Sequence, residues 1–320
     1  MERAVSKKNT ADRKGLWLTV RPVLRQMASH WQLYLLALPA VLYILLFVYK
    51  PMYGIQIAFK DFNTRLGITG SEWVGLKHFM QLFRSTWFPL IIRNTLTLSV
   101  MSLIFGFPLP IILALMVNEV QSEKIKRTFQ TVSYAPHFIS TVVMCGMVLM
   151  FLDPRSGIFA VIAKAFGNEP IYFMQNASYF KWIYLLSGIW QGTGWGAIIY
   201  FAALSGVDQS LLEAAEIDGA SRFQKIIYIN FPVLVPTIMV MFILQCGQLM
   251  SVGYEKAYLL QNDLNLKSSE IISTYVYKLG LVKFDYSTST AAGLFNSVIN
   301  CIILLTANTV SRKATQSSLW

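Results

Sequence analysis

The sequence predicts an all-α integral membrane protein with six transmembrane helices. Hydrophobic residues make up 55% of the 320 residues and charged residues only 13%, about half the charged share of soluble domains. Several apolar runs reach the roughly 20 residues that a helix needs to cross a bilayer. The net charge of +11 is dispersed over polar segments, a distribution that favours contact with lipid headgroups and argues against nucleic acid as a partner.

The apolar runs place the six spans in chain order. They are predicted at about residues 33–59, 93–117, 136–152, 180–204, 233–252 and 289–310. Pro136 is expected to open the third span. The polar segments 60–90, 153–179 and 253–286 are expected outside the membrane, on the face opposite the basic N-terminal tail. An even number of spans then puts both termini on one side.

The chain is expected to divide into four parts. They are a basic tail, a first helix with its external segment, a five-helix core and a short C-terminal tail, at residues 1–30, 31–89, 90–310 and 311–320. No apolar segment precedes the basic tail, and no small-residue cleavage site follows the first apolar run. The first span is therefore expected to remain as an anchor rather than to be removed as a signal peptide.

A polar segment between the fourth and fifth spans predicts two short helices joined by a turn. Asp208 can cap the start of the first helix, because its side-chain oxygen can accept from a free amide of the opening turn. Gly219 can end that helix in the left-handed conformation. Ser221 and Gln224 stand at capping-box spacing at the start of the second helix. Pro232 is expected to end it, because proline has no N–H to donate.

This segment resembles the cytoplasmic loop of the permeases of binding-protein-dependent ABC importers. The residues that carry the resemblance are Glu213, Ala214, Ala215, Gly219, Ile229 and Pro232. Phe231 stands where the family pattern has leucine, which is an apolar exchange. The resemblance implies the type I importer permease fold, with residues 205–232 as a coupling loop. The alternative is an ordinary amphipathic surface loop.

The resemblance implies that the loop docks on an ATPase subunit. Glu213 and Glu216 share one face of the first helix, and this acidic face suits a basic groove on a partner. Asp218 and Ser221 complete the candidate coupling residues. The chain has no Gly-x-x-x-x-Gly-Lys-Ser/Thr loop for a nucleotide phosphate. It is therefore expected not to be an enzyme and to bind no cofactor, with ATP and magnesium used by the partner.

The family implies an assembly in a bacterial inner membrane. Its other members would be a second homologous permease, two ATPase subunits, an external solute-binding protein and the surrounding membrane lipid. Both termini of this chain would be cytoplasmic. The charge bias of the loops is weak, so this orientation follows mainly from the resemblance.

Other function classes find little support in the sequence. The cysteines (Cys145, Cys246 and Cys301) lie in apolar runs without paired spacing, so neither a disulfide nor a metal site is expected. No His, Asp, Glu and Cys cluster is spread across the spans, which argues against a catalytic site and a membrane-embedded enzyme. No acidic residue lies deep within a predicted span, which argues against a proton-coupled carrier.

Polar and indole side chains within the spans are candidates for the substrate path. They are Trp190, Gln191, Trp195, Gln245, Gln248, Asn296 and Asn300. Amides beside indoles suit a sugar, whose hydroxyl groups need hydrogen bonds while its C–H faces stack on aromatic rings. The alternative is that these side chains only join and pack neighbouring helices.

The substrate class is implied by resemblance alone. The segments 35–40, 49–54 and 93–96 are similar to the permeases of the carbohydrate-uptake group. The similarity extends to permeases for oligosaccharides of the alginate and rhamnogalacturonan kind, so an oligosaccharide is expected. A peptide or amino acid carried by the same architecture remains an alternative, as does a proton-coupled carrier.

Overall fold

The computed structural model describes residues 29–315 and 318–319. Most of the predicted basic tail and part of the predicted C-terminal tail lie outside these residues. The chain divides into two compact units, Met1–Gln56 and Ile57–Trp320. The four-part division expected from the sequence remains a prediction.

The described part of the first unit contains one long apolar helix, α1, which spans Trp31–Phe59. Its 29 residues exceed what is needed to cross the hydrocarbon core. Leu45–Tyr49 forms a π-helical turn, and Tyr53–Phe59 is 3₁₀-helical. The predicted first span is thus found as a helix.

A small hairpin opens the second unit. Strands β1 (Lys60–Asp61) and β2 (Glu72–Trp73) pair antiparallel, and helix α2 (Gly67–Gly70) lies between them. The expected all-α class misses this sheet, because strands of two residues are too short to give an alternating pattern. Helix α3 (Lys77–Arg84) follows, and Lys77 forms an ion pair of 2.7 Å with Asp61.

The remainder of the second unit is helical. In order, its helices are α4 (Phe88–Asn118), α5 (Glu123–Phe138), α6 (Thr141–Phe151), α7 (Ile158–Ala165), α8 (Ala177–Leu204), α9 (Gln209–Ile217), α10 (Arg222–Cys246), α11 (Tyr254–Leu260), α12 (Leu266–Ser269), α13 (Ile272–Tyr277) and α14 (Tyr286–Thr315). A 3₁₀ turn at Phe173–Gln175 precedes α8, and a π-helical turn at Lys278–Val282 follows α13.

Within the described residues, four helices are long and apolar enough to cross a membrane: α1, α4, α10 and α14. The pair α5 and α6 makes a fifth if it is one span, with a bend of 95° between its halves. Helix α8 has 28 residues, but Gln191 and four glycines interrupt its apolar sequence, and it is not among these candidates. Each of the six predicted spans overlaps a helix, and the number of six spans stays a prediction.

The buried core lies along α8. One cluster joins α8 to α4, α6 and α11 through Leu98, Met144, Phe180, Tyr184 and Leu260. A second cluster joins the other end of α8 to α4 and α10 and includes Ile111, Leu115, Tyr200, Leu204 and Leu234. Most other large apolar side chains are exposed, as expected of a surface that faces lipid rather than water.

The third predicted span begins later than expected. Pro136 lies in a 3₁₀ turn, Ala135–Phe138, at the end of α5 rather than at the start of a span. The α6 helix starts at Thr141, where the Ser140 side chain accepts from the Val143 amide. The chain is extended between the two, which produces the sharp bend.

The prediction that Pro232 ends a short helix is wrong. Helix α10 runs without interruption from Arg222 to Cys246, so the second helix of the polar segment is the first part of the fifth span. The segment Ile226–Asn230, just before the proline, is π-helical. This wider turn accommodates the proline ring and its missing N–H. The π turns Leu45–Tyr49 and Ser102–Gly106 stand in the same place before Pro51 and Pro108.

The segment 253–286, expected as an external loop, is packed against the core. The buried Asn94 side chain of α4 donates to the carbonyl oxygens of Lys267 and Glu270, both at 3.0 Å. The neighbouring Thr95 hydroxyl accepts from the Ile272 amide at 3.0 Å. These bonds fix helices α12 and α13 to α4.

An ion pair between a buried carboxylate and a partly exposed lysine holds the same segment together. Glu270 is 3% exposed, and its Oε2 lies 2.6 Å from the Lys278 ammonium. Thr274 and Gln261 also hydrogen-bond this carboxylate. The charge of Glu270 is therefore matched by a cation and hydrogen bonds, as burial of a carboxylate requires.

Candidate functional site

Helix α9 of the polar segment is capped at both ends as predicted. The Asp208 carboxylate accepts from the Ser210 amide at 2.9 Å, and this bond lowers the pKa of Asp208. At the other end, Gly219 has φ +77°. The Ala220 amide donates back to the Ala215 carbonyl at 2.9 Å, as in helix ends closed by a left-handed residue.

The start of α10 is capped by the predicted box. The Gln224 side chain accepts from the Ser221 amide at 2.8 Å, and the Ser221 hydroxyl accepts from the Gln224 amide at 3.3 Å. With one left-handed residue at Gly219 and this cap two residues later, the chain reverses from α9 into α10 within a few residues.

An ion pair closes the turn between α9 and α10. The Lys225 ammonium lies 2.6 Å from Glu216 Oε1, and this contact lowers the pKa of the Glu216 carboxyl. Glu213, one helical turn before Glu216, is exposed, as are Ala214 and Asp218. The acidic side chains thus lie on an exposed face of α9.

Large apolar side chains are also exposed on α9 and at the start of α10. They are Leu211, Ile217, Phe223 and Tyr228. Ile217 is 87% exposed, at the last residue of α9. An exposed surface that combines apolar and acidic groups is typical of a protein contact.

The base of this loop is attached to the core. Asn230 is fully buried in α10 and donates to Glu119, just beyond the end of α4, at 3.0 Å. Leu212 and Ile229 pack against the second buried cluster. The loop therefore presents an exposed face on an anchored support.

Three of the seven predicted path residues line cavities, and each lines a different one. A cavity of about 350 Å³ between α4, α8 and α10 is lined in part by Gln245. A second, of about 320 Å³, is apolar and includes Trp190. The third, of about 690 Å³, lies between α14 and the segment 253–286 and includes Asn296. The candidates therefore do not form one site.

The side chains of three other candidates make contacts within the chain. The Gln191 amide donates to the Ile139 carbonyl at 2.8 Å. Trp195 stacks on His137, with ring centroids 4.3 Å apart. Asn300 accepts from the Met250 amide and donates to Ser251, both at 2.8 Å. Gln248 lies in the turn that follows α10, where its carbonyl accepts from the Ser251 amide. The side-chain contacts of Gln191, Trp195 and Asn300 correspond to the helix-joining alternative.

Sequence reasoning missed two features of these cavities. Lys256 reaches the first cavity from α11, but its segment was expected to be an external loop. Tyr254, Tyr277 and Tyr286 line the third cavity, and the rings of Tyr254 and Tyr277 are 5.2 Å apart. Neither feature follows a sequence period, so only the packing of the segment 253–286 reveals them.

Comparison with known proteins decides the family. Residues 106–316 match the model of the binding-protein-dependent transport system inner membrane component family. The chain belongs to this family. It is therefore an inner membrane protein with several spans, and we refer to it below as the permease.

Two relatives from Bacillus subtilis (strain 168) resemble the permease over most of their length. Protein LplB is 41% identical over 288 residues, which cover 90% of this chain and 91% of LplB. The polygalacturonan/rhamnogalacturonan transport system permease protein YteP is 42% identical over 288 residues, covering 90% of each chain.

Solved structures agree with this assignment. The permease superposes on a chain of a bacterial ABC transporter involved in the import of the acidic polysaccharide alginate, with a TM-score of 0.85 and 41% identity. The match covers 92% of the permease and 99% of that chain. A second structure of the alginate transporter, in complex with an alginate pentasaccharide-bound periplasmic protein, matches equally well. The type I importer permease fold follows from these matches.

The permease shows no constellation for bound metal in its described part, since no three His, Cys, Asp or Glu side chains gather there. Cys145, Cys246 and Cys301 are free thiols.

Proposed function

We propose that this permease is one half of the translocation pore of an ATP-driven oligosaccharide importer. It would pair with a second homologous permease and two ATPase subunits, and an external solute-binding protein would deliver the sugar. Six spans, with α8 as the fourth, would leave both termini in the cytoplasm. The ATPase partners would bind ATP and magnesium, and this chain would bind neither.

The proposal is supported most directly by the geometry of residues 205–232. Helix α9 presents Glu213 and exposed apolar side chains, while the bond from Asn230 to Glu119 joins its support to the core. We infer that this surface is the coupling helix, which docks in a groove of an ATPase subunit. When the ATPases close on ATP, they would draw the coupling helices together and open the pore outward. Hydrolysis would reset it.

An oligosaccharide substrate is supported by the relatives and by the third cavity. YteP is a polygalacturonan/rhamnogalacturonan permease, and the matched structures belong to an alginate importer. In the permease, tyrosine rings and hydroxyl groups line the cavity of about 690 Å³ together with Asn296, whose buried side-chain oxygen has no hydrogen-bond partner. Aromatic faces with an unused acceptor suit a sugar, which offers both C–H faces and hydroxyl donors.

Charge reversal at Glu213 tests the coupling surface. We expect Glu213→Lys to reach the membrane at the normal level but to retain its ATPase partner at least about tenfold less on co-purification, because like charges at an interface repel. Glu169→Lys, in the predicted external segment 153–179, is the matched control and should retain the partner. Normal retention by Glu213→Lys would refute the assignment of the coupling helix.

The substrate class can be tested separately in the reconstituted complex. ATPase activity would be measured with the solute-binding protein and a panel of oligosaccharides, peptides and amino acids. Stimulation by oligosaccharides alone would support the proposal. Stimulation by a peptide or amino acid instead would show that the importer carries that class of solute. In a separate uptake assay, transport that an uncoupler abolishes at constant ATP would indicate a proton-coupled carrier.

A further inference from the structure

The cavity between α4, α8 and α10 has a bare helical wall. Gly188, Gly192 and Gly196 follow one another at every fourth residue along α8, and all three line the cavity. A Cβ atom placed at Gly192 would have nothing within 4 Å. This part of the wall therefore faces open space rather than a packed neighbour.

One cationic side chain reaches this cavity. The Lys256 ammonium donates to the Tyr184 carbonyl at 2.7 Å and lies 3.8 Å from the centroid of the Tyr184 ring. None of the ion pairs formed by the described residues includes Lys256. Withdrawing an ammonium from water into a cavity costs free energy unless a negative group pairs with it.

The wall of the cavity leaves room for this ammonium. A Cβ atom at Gly188 would lie 2.5 Å from Lys256 Nζ, so any larger residue there would displace the charged group. Gln245 of α10 lines the same cavity and supplies a neutral amide. The lining thus combines one cation, one amide and open space beside a glycine face.

We propose that Lys256 binds a carboxylate of an acidic oligosaccharide in this cavity and thereby selects charged over neutral sugars. An ammonium has three N–H donors, and the Tyr184 carbonyl uses one of them. The others can donate to a carboxylate, which forms stronger hydrogen bonds to a cation than a sugar hydroxyl does. This inference rests on the proposed function, because it requires a sugar to enter the pore.

Direct binding to the permease–ATPase complex tests the proposal. The ligands are an oligouronate and the same oligosaccharide with its carboxyl groups reduced to alcohols. The external solute-binding protein is left out so that its own preference does not enter. For the wild type we expect tighter binding of the oligouronate. Lys256→Gln should weaken that binding about tenfold, the loss expected for a charge-assisted hydrogen bond, and should change binding of the reduced sugar little.

Two further variants separate charge from folding. Lys256→Arg keeps the positive charge and should retain the preference for the oligouronate. Gly192→Leu projects into the open cavity and should weaken binding of both ligands, while the complex assembles normally. Equal losses for both ligands in Lys256→Gln, or no loss for either, would overturn the inference.

The outcome also separates this inference from the proposed function. Wild-type complex that binds neither ligand would refute a carboxylate site in the cavity. The importer function would still be judged by oligosaccharide uptake in the presence of the solute-binding protein. Absence of that uptake would refute the proposed function itself.

Discussion

Lys225 and Glu216 form an ion pair across the turn between α9 and α10, with Nζ 2.6 Å from Oε1. The pair joins the last turn of the proposed coupling helix to the first turn of a membrane-crossing helix. A displacement of α9 by a docked partner would therefore pass directly to α10.

Exchange of the two charges tests this link. We expect Glu216→Lys to lower transport-coupled ATPase activity, because two cations would then face each other across the turn. The double variant Glu216→Lys with Lys225→Glu should recover much of the activity. Thermal stability should change little in either protein, since the pair is exposed on the carboxylate side. If the double variant does not recover ATPase activity, Glu216 acts on the partner rather than on Lys225.

Gly219 allows the turn to form without strain. At φ +77° a residue with a branched side chain costs about 1–2 kcal/mol, although a Cβ atom there would meet nothing within 4 Å. We expect Gly219→Val to reduce coupled ATPase activity, and Gly219→Asn, which tolerates this conformation, to retain most of it. Equal activity in both variants would exclude a backbone role.

The ion pair between the buried Glu270 carboxylate and Lys278 should stabilise the segment 253–286. Lys278→Met leaves the Glu270 carboxylate without its cation, and we expect a loss of about 3 kcal/mol in folding stability. The apparent melting temperature of the purified protein reports this loss. Lys283→Met, at an exposed position in the same segment, is the control and should melt like the wild type.

Oligouronate binding should also depend on pH. Burial lowers the pKa of Lys256 to about 8, and its ammonium is the form that binds a carboxylate. Binding should therefore weaken as the pH rises above about 8, whereas binding of the carboxyl-reduced sugar should not. Lys256→Arg stays charged over this range and should lose the dependence.

Three other titratable groups lie near Lys256. They are the Cys145 thiol of α6 and the Tyr184 ring of α8, with Glu255 adjacent on α11 itself. A decline in oligouronate binding that persists unchanged in Lys256→Arg would show that a group other than Lys256 titrates.

Local signals in the sequence were enough to predict the ends of α9. Asp208, Gly219 and the pair Ser221 and Gln224 act through neighbouring backbone atoms, so their spacing specifies their structure. Pro232 failed as a signal because its effect depends on the turn before it. The π-helical turn at Ile226–Asn230 allows the helix to continue through the proline, and no residue type in that turn predicts it.

Contacts between distant segments could not be predicted. The Asn94 amide bonds carbonyl groups more than 170 residues away, and Glu270 is buried although its surroundings in the sequence are polar. The candidate path residues were chosen because burying a polar group in a span costs free energy. Gln191 and Asn300 offset this cost with hydrogen bonds inside the chain. Lys256 could not be predicted as a cavity residue, because a single lysine in a polar segment forms no sequence pattern.

The π-helical turn in α10 has a mechanical consequence. It lies between the capped start of the helix at Arg222 and the apolar stretch after Pro232, and Pro232 has no N–H to donate to this turn. If a docked partner moves the capped start of α10, this turn is the place where the helix can bend. The apolar part of α10 can then tilt while the cap formed by Ser221 and Gln224 stays intact.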